Sequence, residues 1–249
     1  MRSRFTRVRG LRVHWREGGS GEPIVLVHGI GVSGRYLLPT ARLLEPTHRV
    51  LVPDLPGFGP SAKPSRALGV RGLARALAAW LDAIGVESAP LVANSIGCQI
   101  VVALAREHTE RAERLVLVGP TVDAHARSFP RQAFRLALDT AREPPSLAAI
   151  VALDYLTYGP LRFLATARSA LNDRIEDHAR FVAAPVLVVR GARDALVSQR
   201  FAEELAARFA NGRLVVVPDS PHAVNYARPD VLARLVRDFL SERSAAASD

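Results

Sequence analysis

Three residue types that together make a nucleophile stand in the order Ser95, Asp194, His222, each just past a short apolar run. A serine hydroxyl attacks a carbonyl usefully only when a base takes its proton, and an imidazole serves as that base when an acid holds it in place. Leu91-Val92-Ala93 leads through Asn94 and Ser95 straight into the helix-like stretch Ile100 to Arg106. A strand that turns at once into a helix bends sharply, so the residues two before and two after the apex must be small, as Ala93 and Gly97 are. The apex is forced into a strained backbone, its side chain stands clear of the sheet, and the first helix amides point at whatever bonds to it. Taken alone, Ser95 would read as a helix cap. Two later stretches of the chain make it a candidate nucleophile: Val186 to Val189 runs into the loop holding Asp194, and Leu214 to Val217 into the loop holding His222. Ser, Asp, His is one of the known orders of a catalytic triad.

The negative oxygen that forms during attack on a carbonyl needs amide donors. Ile96, directly after Ser95, offers one. The second is expected from His28-Gly29-Ile30-Gly31, the loop after the run Ile24 to Val27, with Ile30 favoured and Gly31 next. His28 reads as a structural histidine bonding this loop, Asp54 as a turn residue, and Asp219 as a residue that caps or solvates its own turn.

The elements that must position these groups are read from the hydrophobic pattern. Phe5 to Arg9 and Leu11 to Arg16 alternate apolar and polar about Gly10, as an antiparallel pair with one wet face does. Later runs, Ile24 to Val27, Val50 to Val52, Leu91 to Ala93, Leu115 to Val118, Val186 to Val189 and Leu214 to Val217, are unbroken, as strands buried on both faces are. Helical patterns lie between them at Tyr36 to Leu44, Leu68 to Ile84, Ile96 to Arg106, Phe201 to Phe209 and Pro229 to Leu240. Alternating strand and helix predicts an α/β fold with a mainly parallel sheet between helix layers. The rhythm breaks between Val118 and Val186, where only helix-like stretches occur: Arg131 to Ala141, Leu147 to Leu156, Leu161 to Leu171 and Arg174 to Val182. An insertion at a strand end, where open α/β sheets carry their sites, reads as a lid.

Length and composition agree. A chain of 249 residues, 49% hydrophobic, buries a large core and fits one domain with an insertion. The net charge of +9 comes from arginines scattered along the chain, with Lys63 the only lysine, so neither a nucleic-acid track nor a membrane patch is expected. The basic N-terminus has no apolar stretch behind it and no segment approaches a membrane span, so neither secretion nor insertion is expected. The single cysteine, Cys98, reads as buried filler, and a reducing cytoplasm is the expected setting. The tail Ser244 to Asp249 is expected to fray.

Taken in order, the loop His28 to Gly31, the turn Asp54-Leu55-Pro56-Gly57-Phe58-Gly59-Pro60-Ser61, the elbow Ala93 to Gly97, the loop Gly191 to Asp194 and His222 resemble the α/β-hydrolase family over nearly the whole chain. The resemblance implies an eight-stranded, mostly parallel sheet flanked by helices, a core of residues 1–120 and 185–249, a helical cap of residues 121–184 after the sixth strand, and hydrolysis through an acyl-enzyme without metal or organic cofactor. Ala93 departs from the family's usual glycine. Some members draw their acid from the strand end near Asp123; Asp194 is favoured here by its Gly-x-x-Asp setting after the later strand. Serine at the elbow disfavours the dehalogenases and epoxide hydrolases, which use aspartate there.

The expected activity is hydrolysis of a small to medium carboxylic ester with an apolar acyl part. Gly31, Tyr36, Phe134, Tyr155, Tyr158, Phe163, Val197 and Val224 are the expected substrate contacts, with Val32 and Phe129 as further wall residues. Arg127, Arg162 and Arg168 read as solvated surface arginines more than as a carboxylate site. The resemblance leaves C–C bond hydrolysis of ring-fission products, lactone hydrolysis and cofactor-free perhydrolysis open, and outside catalysis a ligand receptor with little turnover. The partner expected is a small-molecule substrate; self-association is left open.

Overall fold

Unbroken β-branched runs become strands because both their faces are covered. In the computed structural model, which describes residues 1–242, these strands are β1 (Arg2–Val8), β2 (Leu11–Gly18), β3 (Pro23–Val27), β4 (Arg49–Pro53), β5 (Ala89–Asn94), β6 (Ala112–Val118), β7 (Val186–Gly191) and β8 (Gly212–Val217). The tail Ser244 to Asp249 lies outside the described residues. One sheet contains all eight in the order β1-β2-β4-β3-β5-β6-β7-β8. β1 pairs antiparallel with β2, β2 antiparallel with β4, and every later pair is parallel.

The helices are α1 (Leu38–Leu44), α2 (Val70–Ala83), α3 (Ile96–Glu107), α4 (Phe129–Thr140), α5 (Pro145–Tyr158), α6 (Pro160–Asn172), α7 (Ile175–His178), α8 (Gln199–Arg208), α9 (Val224–Ala227) and α10 (Pro229–Ser241). Side chains alternate between the two faces of a strand. Val25, Val27, Leu91, Ala93, Leu115, Leu117, Val186 and Val188 therefore pack with α2, α3 and α8 on one side. Their neighbours Ile24, Leu26, Val92, Val116, Val118, Leu187 and Val189 pack with α1 and α10 on the other. Each such fully buried Leu, Ile or Val contributes roughly 1.5–3 kcal/mol, which makes this double-sided burial the main stabilising term of the sheet.

Two features of the topology place the site. The chain leaves β3 toward β4 and then crosses back to β5 on the other side of β3. The carboxyl ends of β3 and β5 thus flank the point where strand order reverses, the place where open α/β sheets form a crevice. His28 to Gly31 and Ser95 come directly after those two strands. Second, α4 to α7 are all inserted between β6 and β7. α4, α5 and α6 each carry proline in the first turn, where the missing N–H costs nothing, so these prolines start helices. Arg174 to Val182, read from sequence as one helix, is instead the four-residue α7 followed by a 3₁₀ turn at Ala179–Phe181. So short a stretch closes in the tighter turn, because few residues share the cost of starting a helix. No single helix among the described residues is long and apolar enough to cross a membrane.

Candidate active site

Ser95 sits between β5 and α3 with φ 59° and ψ −127°, a left-handed backbone rarely adopted by a residue with a side chain. Its N–H donates to the carbonyl of Val118 on the neighbouring strand, at 3.0 Å, and its hydroxyl caps no helix amide. The bend explains Gly97: a Cβ there would lie 2.7 Å from the Val27 carbonyl oxygen and 2.8 Å from that of His28. Ala93 is buried in the core with its methyl accommodated, so the alanine is compatible with the turn. Ile96 opens α3, and the first amides of a helix have no partner within it.

The imidazole and the acid meet across two loops. Nδ1–H of His222 donates to Asp194 Oδ2 at 2.8 Å. The other Asp194 oxygen, Oδ1, accepts the N–H groups of Leu196 at 2.8 Å and Val197 at 3.0 Å, which fixes the carboxylate. Gly119, at the end of β6 with φ 54°, makes room for the pair: a Cβ would fall 2.6 Å from His222 Nδ1 and 3.2 Å from Asp194 Oδ2. Nε2 of His222 is buried and has no hydrogen-bond partner among the described residues. It lines the same cavity as Ser95, although no hydrogen bond joins the two, and such contacts often tighten only when substrate binds. Burial by itself pushes the His222 imidazole down, but the charge and hydrogen bond of Asp194, with the charges of Asp139 and Glu143, outweigh it and raise the pKa to about 9. An ordinary value would have placed this titration near pH 6 to 7.

The cavity at Ser95 has two chambers. The larger, about 430 Å³, is apolar, walled by Ile96, Val122, Phe129, Ala133, Leu136, Val151, Tyr155 and Phe163 among others. The smaller, about 80 Å³, is bounded by Gly29, Tyr36, Asn94, Asp139, Thr140, Glu143 and His222. Ile30, Ser95, Leu136, Thr140, Ala148, Val151, Tyr155 and Leu196 line both. An alcohol at the junction of the chambers and, in the same cavity, an imidazole nitrogen without a hydrogen-bond partner among the described residues form an arrangement able to carry out acyl transfer.

The pattern of the "Alpha/beta hydrolase family" matches residues 24–235, most of the chain. The chain belongs to the alpha/beta hydrolase family. Among its relatives is a 2-hydroxymuconate semialdehyde hydrolase from Pseudomonas sp. (strain CF600), 29% identical over 280 residues, covering 96% of this chain and 93% of the relative. Similar structures include an enol-lactonase from Burkholderia xenovorans LB400, with a TM-score of 0.83, 24% identity and coverage of 96% of this chain and 100% of the other. A thermophilic esterase from Thermogutta terrifontis has a TM-score of 0.82 at 21% identity, over 96% of this chain and 98% of that one.

In this alpha/beta hydrolase the expected contact residues divide. Tyr36, Tyr155 and Phe163 line the chambers. Tyr36 is held there because its hydroxyl donates to Asn94 Oδ1 at 2.7 Å and accepts the Gly29 N–H at 2.9 Å. Phe134 does not line either chamber: it is 71% exposed, because α4 turns Phe129, Ala133, Leu136 and Thr140 inward and leaves Phe134 on the opposite side. Tyr158 is buried instead against Phe58, ring centroids 4.4 Å apart, with its hydroxyl bonded to Thr166. Val224, the first residue of α9, belongs to the core with α1 and α10, and Val197 acts through its backbone on Asp194. Gly31, with φ 71°, lines neither chamber; a Cβ there would lie 2.6 Å from the Tyr155 ring, so its part is to seat that ring.

The hydrolase's other acids and bases are occupied elsewhere. Asp123 is fully buried, binding Arg135 at 2.7 Å and the N–H groups of His125 and Ser198. Asp54 binds His14 at 2.6 Å and the Gly34 N–H at 2.5 Å. His28 Nε2 accepts the Leu55 N–H at 3.0 Å while Nδ1 contacts the Gly29 carbonyl at 2.8 Å, so it is a neutral structural histidine, its pKa lowered first by burial. Asp219 is exposed in a left-handed turn with φ 53°. Arg127 is tied to Glu176 at 2.7 Å rather than solvated, Arg162 to the Pro64 carbonyl, and Arg168 is exposed. Sequence reasoning missed Gly119, Asp139, Glu143 and Thr121, the last a lining residue of the larger chamber whose buried hydroxyl has no partner among the described residues. Only Gly119 left a signal, a glycine ending an apolar run.

Proposed function

We propose that the chain is a serine hydrolase cleaving a small to medium carboxylic ester with an apolar acyl part. The observation that carries this is the His222–Asp194 hydrogen bond, with Nε2 of His222 left free in the cavity that Ser95 lines. His222 takes the Ser95 proton as Oγ attacks the carbonyl carbon, and Asp194 stabilises the imidazolium. The N–H groups of Ile30 and Ile96 receive the negative oxygen. The imidazolium returns its proton to the leaving alcohol; water, deprotonated by His222, then releases the acid and restores Ser95. The larger chamber takes the acyl chain, and residues 121–184 act as the cap that closes over it.

A second reading is hydrolysis of a C–C bond in a ring-fission product, favoured by the similarity to the 2-hydroxymuconate semialdehyde hydrolase. Diketo acids carry a carboxylate. Among the described residues neither chamber is lined by Arg or Lys, and the smaller sets Asp139 and Glu143 beside His222, a setting less favourable to an anion than an arginine pocket; this supports the ester reading. A fluorophosphonate trap with mass mapping tests the nucleophile: label is expected on Ser95 and absent in Ser95→Ala, and an undiminished turnover by Ser95→Ala overturns the proposal. A panel of esters, lactones and vinylogous diketo acids then separates the chemistries; preference for the diketo acid by orders of magnitude selects the second reading.

A further inference from the structure

The smaller chamber is lined by two acidic side chains, Asp139 and Glu143, that the reaction does not use. Asp139, only 3% exposed, comes from the last turn of α4, and Glu143 lies in the link to α5. Asp139 Oδ1 accepts the Ala195 N–H at 3.3 Å, and Glu143 Oε1 accepts the Ala223 N–H at 2.7 Å. Both therefore lean from the inserted helices onto the loops that carry Asp194 and His222. Buried carboxylates are ordinarily paired with a cation. Among the described residues neither forms an ion pair with Arg or Lys, and the neighbouring Arg142 donates instead to the Arg193 carbonyl at 2.8 Å. Two atoms in the chamber are buried without any partner: Glu143 Oε2, an acceptor, and Nε2 of His222, whose residue is 6% exposed.

We infer that this chamber binds a small protonated amine on the leaving-group side of the substrate, its positive charge against Asp139 and Glu143. The inference rests on the ester reading above and adds to it the chemistry of the alcohol part. In the free protein the cation facing these carboxylates is the His222 imidazolium; once His222 is neutral, as the reaction needs, an ammonium group replaces that charge and, through its N–H, supplies a donor for Glu143 Oε2. The chamber's volume of about 80 Å³ suits a group of a few heavy atoms. A divalent metal ion fits less well, because no group of three metal-binding side chains is assembled among the described residues. The arrangement also ties recognition to catalysis. Burial pushes Glu143 up to about 7, with Asp139 and Asp194 adding to the rise, so a carboxylate crowded by like charges gains most from an arriving cation. The same cation makes an imidazolium at His222 less favourable, releasing the neutral base that the reaction needs.

The test compares two esters of nearly equal shape, 2-(dimethylamino)ethyl butanoate, protonated at neutral pH, and 3-methylbutyl butanoate. The charged ester is expected to have a kcat/KM about tenfold or more above the neutral one. That ratio is expected to fall about tenfold in Glu143→Gln and in Asp139→Asn, two substitutions that serve as checks on each other should one fold poorly. In the wild-type protein, trimethylammonium is expected to inhibit 3-methylbutyl butanoate hydrolysis competitively, and tert-butanol at the same concentration to inhibit far less. Equal kcat/KM for both esters, or a ratio unchanged in both substituted proteins, overturns this inference and leaves the ester reading standing. Cleavage of neither ester by protein that still takes the fluorophosphonate label overturns both.

Discussion

His222 carries the tightest link between structure and measurable behaviour. Three carboxylates, those of Asp194, Asp139 and Glu143, act on one imidazole, and together they overcome the downward push of burial to raise it to about 9. On the proposed mechanism a protonated imidazole cannot take the Ser95 proton, so activity is expected above this pKa and is expected to be lost as pH falls through it. On a neutral activated ester, log kcat/KM is expected to keep rising up to about pH 9, where an unperturbed histidine would have levelled off above about pH 7. Replacing Glu143 by Gln removes one of the charges that raise His222, and the midpoint is expected to move to lower pH; a midpoint that stays near pH 6 to 7 in both proteins shows that the three acids do not act on the base. Ser95, Asp194 and His222 were legible one residue at a time because each ends an apolar run. Asp139 and Glu143 were not, since nothing in Leu138 to Arg142 tells which way the end of α4 faces.

At the scale of elements, two joints carry the site. The elbow between β5 and α3 depends on the absence of a side chain at Gly97, whose Cβ would meet two backbone carbonyls that cannot swing aside, at 2.7 and 2.8 Å. Gly97→Ala is expected to cost about 3 kcal/mol in urea unfolding and to remove most phosphonate labelling at Ser95; wild-type stability with full labelling refutes the tight packing of the bend. The second joint ties α5 to the loop after β3. Asp154 Oδ2 accepts the Ser33 N–H at 2.8 Å and the Ser33 hydroxyl at 2.9 Å, and Oδ1 takes Arg35 at 2.6 Å. Asp154→Ala strands these donors and is expected to lower stability by about 2 kcal/mol and to raise KM more than it lowers kcat, since α5 supplies Val151 and Tyr155 to both chambers. An unchanged melting temperature and KM tell against the joint. The strands were readable because a run buried on both faces has little polar character to confuse it. α5 was readable as a helix but not in its facing: Leu147 and Val151 turn inward while Leu153 and Leu156 are exposed, so apolar residues surround it and leave no stripe to orient it.

Across the whole molecule, the two sides of the cavity are built to different standards. Below it, the parallel strands and the helices on either face bury nearly every apolar side chain they carry. Above it, α4 to α6 leave Phe134, Leu153, Leu156, Leu161 and Leu164 at least half exposed. Local stability tracks the burial that opening would undo, so the inserted helices are the part of this molecule that opens at least cost. Their attachment combines polar contacts, Asp154 to Ser33 and Arg35 and Glu143 to the Ala223 amide, with a few apolar ones, Tyr158 on Phe58 and Leu147 in the core beside α1, far fewer than those that hold the strands. Hydrogen exchange followed by mass spectrometry is expected to show the amides of α4 to α6 exchanging well before those of β3 and β5 to β7. Filling the larger chamber with a fluorophosphonate chain on Ser95 adds apolar contacts to Leu136, Val151 and Tyr155, so exchange in α4 and α5 is expected to slow while α10, on the far side of the sheet, stays unchanged. Equal protection of α5 and β5 in the free protein removes the case for a cap that opens as a unit, and slowing spread evenly over every helix points to global stabilisation rather than closure.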